Sequence, residues 1–515
     1  MQYILAHDMG TSGNKATLYD MEGNLKSSIV KGYPTHYPFD GAVEHDPDDW
    51  WEAVCGCTRE LLSQSGVAPA EIACVSFSGI MMGCLIVDGA GKPLRNMLIW
   101  ADTRSSAQEK WMLNRVGLER GYRITGHRPS ASYSAAKLLW IKDNERELYD
   151  RAYKMIHAKD YIVLKLTGVF ATDYSDASST NLLDLEKRVW SQELLDAWEI
   201  WGDLLPDVYR SAEIVGKVTA EAARATGLLA GTPVAMGGGD GSCATVGAGV
   251  VAEGDTYNVI GSSSWICMAA KEPYFDPQMS TFNWLHLDPS LFTPCGTMQA
   301  AGYSYSWYRD VLCEQEVLAA REQGLSPYQL LNRHMDDTRP GAGGLLYLPY
   351  LLGERSPHWN HNARGAFVGM GASTTHKDMT RAVLEGVGYN LRMILNALEG
   401  YRNIDDIIMI GGGAKGKEWL QILADIWNKT LRVPRYLEEA TSMGAAVAGG
   451  IAVGAYKDYS AARQYNKIVA EYQPIAKNVA VYAEMYPIFQ EAYAQLVPVY
   501  DKLSRSAARK AMDAK

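Results

Sequence analysis

One plan stands at the head of each half of this chain: a strand, a turn of small polar residues, and a returning strand. It constrains the fold more than any other feature. Tyr3 to Asp8 reads as the first strand, Met9-Gly10-Thr11-Ser12-Gly13-Asn14 as the turn and Lys15 to Asp20 as the return. Thr256 to Ile260, Gly261-Ser262-Ser263-Ser264 and Trp265 to Met268 repeat the plan, as pattern and not as sequence identity. An internal duplication follows, with α/β domains over residues 1–250 and 251–515 and a cleft between them. At 515 residues the chain is in any case too long for one core. Each turn offers backbone N–H groups and hydroxyls, and two such turns facing each other could grip a polyphosphate. Each alone is equally what a plain hairpin looks like, and neither is the G-x-x-x-x-G-K-[ST] phosphate loop.

Charge and composition narrow the partners. A formal net charge of −10 argues against general affinity for nucleic acid or an anionic membrane, so any phosphate site has to be local. The eight cysteines lie in apolar segments without C-x-x-C or zinc-like spacing and read as reduced core residues. No basic start or long apolar segment follows Met1, so no signal peptide is expected and the cytoplasm is the expected compartment. The most membrane-like stretch, Gly444 to Tyr456, is rich in Gly and Ala and shorter than the roughly 20 residues of a spanning helix. It reads as a tightly packed buried helix. The tail from Val481 to Leu503 reads as helical and aromatic, suited to packing on its own chain or to a contact in a homodimer.

Several stretches carry candidate chemistry. The strand Pro233 to Met236 runs into Gly237-Gly238-Gly239-Asp240-Gly241, where glycines allow close backbone approach and then present one carboxylate. That suits a catalytic base, and equally an ordinary helix cap. Leu98-Ile99-Trp100 ends in Ala101-Asp102-Thr103-Arg104, an acid and a base that would line a polar ligand or form a cap with an ion pair. Asp46-Pro47-Asp48-Asp49 starts a helix to about Ser65, and residues 107–207 are largely helical, a lid or wall, with Thr172 to Ser178 as a loop. Thr375 with Asp378 caps a helix reaching about Leu398. Ile407 to Ile410 enters Gly411-Gly412-Gly413-Ala414-Lys415-Gly416, either a nucleotide-binding edge or a tight crossover to the helix Glu418 to Asn428.

Taken together, in this order and spacing, these stretches resemble the FGGY family of carbohydrate kinases, in particular its xylulokinase and gluconokinase branches. Gly365-Ala366-Phe367-Val368-Gly369-Met370, followed by Asp378-Met379 and Ala382-Val383-Leu384-Glu385, is similar to the family signature, and Gly353-Glu354-Arg355-Ser356-Pro357 fits as well. The resemblance implies an actin-like ATPase fold of two ribonuclease-H-like domains with ATP and a small sugar in the central cleft. It implies that Asp240 takes the proton of the sugar hydroxyl that attacks the γ-phosphate, and that Asp8 holds Mg²⁺. Thr11, Ser12, Lys15, Gly261 and Ser262 would then contact the phosphates, and Gly412, Gly413 and Ala414 the adenosine. Met81, Met82, Asp102 and Gly241 would face the sugar. Where xylulokinases carry Gly-Gln-Met-His-Gly this chain has Gly79-Ile80-Met81-Met82-Gly83, and Gly241 replaces the usual Asn after the catalytic Asp. Both changes remove polar sugar contacts, so altered selectivity is expected. A non-catalytic sugar sensor on the same fold is the alternative of another class, against which the presence of Asp8, Lys15 and Asp240 speaks.

Overall fold

The computed structural model describes residues 2–513, with side chains to residue 506. The expected hairpins are present. Strands Tyr3–Met9, Gly13–Asp20 and Leu25–Gly32 form an antiparallel meander, and Thr256–Ile260, Ser264–Met268 and Phe292–Met298 form its counterpart.

The duplication is explicit in the sheets. In the first half, Ile72–Gly79 adds parallel to Tyr3–Met9, and Pro233–Ala235 adds parallel beyond it. In the second, Asp406–Ile410 adds parallel to Thr256–Ile260, and Thr430–Pro434 adds parallel beyond that. With the strand Phe282–Leu285, which pairs antiparallel outside Phe292–Met298 in the second sheet, left out of the numbering, both sheets run 3-2-1-4-5, two antiparallel neighbours followed by two parallel crossovers. Each sheet then gains an antiparallel edge, Ile214–Lys217 in one and Ile468–Tyr472 in the other. This is the actin-like, ribonuclease-H-like arrangement that the family resemblance implies, and the duplication that the hairpins lead one to expect. The parallel strands are apolar along nearly their whole length because helices cover both faces.

Local rules account for the main helices. Pro47–Ser65 has Pro at its first position and Asp46 accepting from the Asp48 amide, and it ends on Gly66 in the left-handed region. His376–Leu398 carries the expected capping box between Thr375 and Asp378. Two expectations are corrected. Residues 172–178 are not an open loop but a strand, Ala171–Asp173, and a buried helical turn, Tyr174–Ala177, because Asp173 caps the turn through the Ser175 and Asp176 amides. The glycine-rich buried helix is Ala440–Ala452, so residues 453–456 lie beyond it.

That helix packs against the first half, although it belongs to the second. It crosses the helix Asp240–Gly247 at backbone contact: a Cβ on Gly247 would lie 1.6 Å from the Ala440 carbonyl oxygen, and one on Gly444 1.9 Å from that of Cys243. Ala445, Ala446, Val447 and Ala448 are buried against Ile4, Ala6, Cys74 and Ala235 of the first sheet. The tail helix Ala476–Asp513 buries Tyr482, Tyr486, Phe489 and Tyr493 in the core of the second half, so its aromatic face is covered by its own chain. All eight cysteines are buried and free. Among the described residues no helix is long and apolar enough to cross a membrane.

Because nothing between the two crossing backbones can move aside, Gly444→Val should destabilise by at least the roughly 1–3 kcal/mol typical of overpacking. A lowered urea midpoint checks this; an unchanged midpoint would show that the crossing is looser than its geometry.

Candidate active site

Strand register assembles the site. Asp8 lies opposite Lys15 on one neighbouring strand and Ser78 on the other, and Ser78 in turn lies opposite Gly238. Asp8 and the glycine segment therefore emerge at the same sheet edge. Gly237 has φ +68°, and a Cβ there would meet the Phe77 carbonyl oxygen at 1.9 Å, so only glycine permits this turn. Gly238–Gly239 pairs as a short strand, and Asp240 is the first residue of the helix that follows.

Asp240 accepts a hydrogen bond from the Gly241 amide at 2.7 Å. Burial pushes its carboxyl up to about 7, with the Asp8 carboxylate adding to the shift. Burial raises Asp8 as well, against the pull of Ser78 and Lys15. Two carboxylates with weakened acidity at one edge suit a base and a cation ligand. Lys15 donates from Nζ to the Glu438 carbonyl at 2.7 Å, across to the second half.

A buried ionic cluster missed in the sequence stands behind the glycine turn. Lys159 Nζ lies 2.6 Å from Asp160, 3.0 Å from Asp173 and 3.2 Å from Asp176, and all four side chains are fully buried. His157 Nδ1 contacts Asp176 at 2.9 Å. Ser175 donates to Asp173, and the Gly239 amide donates to Ser175 Oγ at 2.9 Å, so a chain of hydrogen bonds runs from Lys159 to the residue before Asp240. The one legible signal was the density of Asp and Ser in the segment from Thr172 to Ser178, read there as a loop.

Two cavities flank the segment Gly261–Ser263. One, of about 210 Å³, is walled by Asp240, Gly241, Thr11, Ser263 and Arg355 with an aromatic and Met surface. Met81, Met82, Trp100, Tyr133, Trp265, Phe282 and Trp284 supply that surface. The other, of about 590 Å³, is bordered by Gly261, Ser262, Gly412, Gly413, Lys415 and Gly416. Its far wall is aromatic: Tyr305 lies against Tyr328 and Trp419, with its hydroxyl donating to Asn332 at 2.8 Å.

Several of the expected residues are thus brought together, with six differences, Asp8 and Lys15 among them because they line neither cavity. Thr11 borders the smaller cavity and accepts from Trp100 Nε1 at 3.0 Å. Ser12 lines neither cavity. Ala414 is buried under its turn, and Lys415 and Gly416 border the larger cavity instead. Asp102 is not in the smaller cavity: it is fully buried, accepting from the Val43 amide at 2.7 Å and from Arg104 Nε at 2.9 Å. Arg104 folds back two residues and also reaches Glu44 at 2.7 Å, so both charges are spent internally.

The two departures near the sugar positions acquire a cause. A Cβ on Gly241 would lie 2.5 Å from Trp284, whose ring occupies the volume that a side chain at 241 needs. Trp284 keeps a buried indole N–H without a partner. Met82 takes φ +64°, held by its amide donating to Ser179 Oγ at 3.1 Å. Arg355, foreseen only as part of a loop, is the cationic wall: Nη2 donates to Ser132 Oγ at 3.2 Å, linking the halves. Glu354 beside it faces away, accepting from the Gln299 and Arg355 amides at 2.8 Å each, with its carboxyl pushed up to about 8 by burial.

Comparison with known proteins decides the family. Residues 3–247 match the model of the FGGY family of carbohydrate kinases, N-terminal domain, and residues 256–453 that of its C-terminal domain. The chain belongs to the FGGY family of carbohydrate kinases. It is 33% identical to xylulose kinase of Bacillus subtilis (strain 168) over 96% of this chain and 97% of that one. To the gluconokinase of the same organism it is 30% identical, over 95% and 94%. The crystal structure of ligand-bound xylulose kinase from Lactobacillus acidophilus superposes with a TM-score of 0.90 at 28% identity, covering 98% of this chain and 100% of that one. The chain is therefore a xylulokinase-like carbohydrate kinase, a phosphotransferase with an alcohol group as acceptor.

The weakened acidity of Asp240 has a stability consequence. A carboxyl that binds its proton more tightly folded than unfolded opposes folding increasingly from about pH 4 to about 7, and fully above that. Asp240→Asn should therefore melt higher than the parent at pH 8, with the difference shrinking towards pH 4. A difference independent of pH would contradict the assignment.

Proposed function

We propose that this kinase transfers the γ-phosphoryl group of ATP to a hydroxyl of a small sugar, xylulose or a related ketose first, with Asp240 as general base. The observation that carries the reading is the segment Gly261–Ser263: Gly261 and Ser262 border the larger cavity, and Ser263 borders the smaller one that holds Asp240. A nucleotide in the first and a sugar in the second would place the transferred phosphoryl group between them. The aromatic and glycine walls of the larger cavity suit a flat base. The polar turn at 261–263, with Thr11 on the same cavity as Ser263, suits the phosphate chain.

In this scheme Asp240 removes the proton as the sugar oxygen attacks in line, and catalysis is chiefly positioning. The Lys159 cluster fixes the backbone before Asp240, and burial keeps the base near neutrality, where it is ionised enough to act and basic enough to accept. Asp8 would supply a hard oxygen ligand that suits Mg²⁺, which when bound neutralises phosphate charge. Arg355 favours a second reading. Among the described residues this half-buried guanidinium makes no ion pair, Glu354 acting on it only as a nearby charge, which suits a sugar acid such as gluconate.

Release of ADP across a panel of ketoses, aldonates and polyols tests the proposal. Asp240→Asn should lower kcat by about 10²–10⁴-fold, the usual contribution of a positioned base, with ATP affinity nearly unchanged. For the parent, kcat/KM should rise with pH through about 7 as Asp240 loses its proton, a limb the variant lacks. Sugar binding without any ATP turnover would favour a sensor instead, and near-full activity of Asp240→Asn would remove the assigned base.

A further inference from the structure

A second cluster of ligand-type side chains lies in the second half, outside the cleft. Cys313 follows the helix Gly302–Leu312, Glu316 is in the first turn of the helix Glu314–Glu322, His334 is in the turn Arg333–Asp337, and His376 opens the helix His376–Leu398. Three segments distant in sequence thus converge. The donor atoms of Cys313, Glu316 and His376 all lie within 4.8 Å of one another. Glu316 Oε1 is 3.0 Å from His376 Nδ1 and 4.0 Å from His334 Nε2, and Cys313 Sγ is 3.5 Å from His376 Nε2.

The 3.5 Å separation suits a tetrahedral ion, and the 3.0 and 4.0 Å ones bracket what it needs. Cys313 and Glu316 face different nitrogens of the His376 ring, so an ion on one nitrogen requires the ring or one ligand to turn. Zinc bonds of about 2.0–2.3 Å to nitrogen, oxygen and sulfur set neighbouring ligand atoms roughly 3.3–3.8 Å apart. Hydrogen bonding gives an independent indication. The Thr380 hydroxyl, with one proton, lies 3.2 Å from both the His376 carbonyl and the Tyr308 hydroxyl and 2.9 Å from His334 Nδ1; given to the carbonyl one turn back, that proton leaves Thr380 the acceptor for Nδ1. With Nδ1 protonated, neutral His334 turns the lone pair of Nε2 towards the Glu316 carboxylate, which has none but acceptor atoms. Two acceptors facing each other call for a cation between them. Among the described residues no Lys or Arg pairs with Glu316, whereas the ammonium of Lys159 already fills the other such cluster, His157, Asp160 and Asp176.

We propose that Cys313, Glu316 and one ring nitrogen of His376, with His334 Nε2 as fourth ligand, form a binding site for zinc or a similar borderline divalent ion. The thiol binds as thiolate, releasing its proton to solvent. The Thr380–His334 hydrogen bond orients the fourth ligand from behind. The ion ties the helix Glu314–Glu322 and the turn after Asn332 to the long helix His376–Leu398. Asn332 borders the larger cavity and holds Tyr305, so the site braces one wall of that cavity from outside. The inference does not depend on the sugar or on the role of Asp240.

The test uses the full chain stripped with a chelator, then titrated with Zn²⁺ against a chromophoric chelator and, separately, with Co²⁺. One equivalent of tightly held Zn²⁺ is expected, together with a thiolate-to-cobalt band and tetrahedral visible bands. Cys313→Ser should abolish the thiolate band, and both it and His376→Gln should weaken Zn²⁺ binding by more than about tenfold, the low end of even an outer-shell loss. Should either variant misfold by circular dichroism, His334→Gln replaces it, with weaker Zn²⁺ binding and a retained thiolate band. Absence of Zn²⁺ binding in competition, or equal affinity in the folded variants and the parent, overturns the site and leaves a hydrogen-bonded cluster in which His334 is doubly protonated.

Discussion

The contact on which the rest of the molecule depends is the backbone-to-backbone crossing of the helices Asp240–Gly247 and Ala440–Ala452. Glycines at 247 and 444 leave no side chain between them, so the helix that carries Asp240 is fixed directly against the second half. The residues just before the second helix complete the junction: the Glu438 carbonyl accepts from Lys15, and that of Glu439 from the Tyr19 hydroxyl at 3.4 Å. The sheet edge that presents Asp8 and Asp240 is thereby indexed to the second half. Such a joint is specified by the absence of atoms, which makes it intolerant of almost any substitution.

Around that joint the protein spends polar groups where position matters. The cluster of Lys159 with three aspartates is costly to bury, and removal of its one ammonium would leave carboxylates uncompensated, a loss of about 3–5 kcal/mol in comparable cases. In return, Gly239 and the turn of Ser175 are fixed by hydrogen bonds that water cannot contest. Asp102 shows the opposite use of a similar motif. Its carboxylate is consumed by Arg104 and the Val43 amide, so it holds the segment beneath Trp100 and leaves Trp100 itself to the cavity.

Much of this was legible in the residues. Alternation and turn chemistry gave both hairpins and hence the duplicated sheets, since a small polar turn between two apolar runs has few other solutions. Gly237 to Asp240 and the turn from Gly261 to Ser262 stood out because glycine and charge at strand ends are conspicuous locally, whereas Asp8 and Lys15 were singled out only through the family resemblance. What stayed hidden depends on contacts between distant segments. Nothing near Trp284 announces that its ring fills the space over Gly241, and nothing near Arg355 announces that it reaches Ser132. Asp102 misled because an acid and base after an apolar strand look alike whether they face a ligand or each other. The loop reading of Thr172 to Ser178 failed because its aspartates look solvated until Lys159 is placed among them.

The filling of the Gly241 space by Trp284 reaches beyond packing. An enzyme rejects a wrong epimer mainly by leaving one of its own buried polar groups unpaired, and a wall of hydrocarbon and ring carbon has few such groups to leave unpaired. Under the sugar-kinase reading proposed above, Met82 and Trp284 stand where the family resemblance leads one to expect an imidazole and an amide, so discrimination between stereoisomers would fall to Asp240, Arg355, Gln299 and the unpartnered Trp284 N–H.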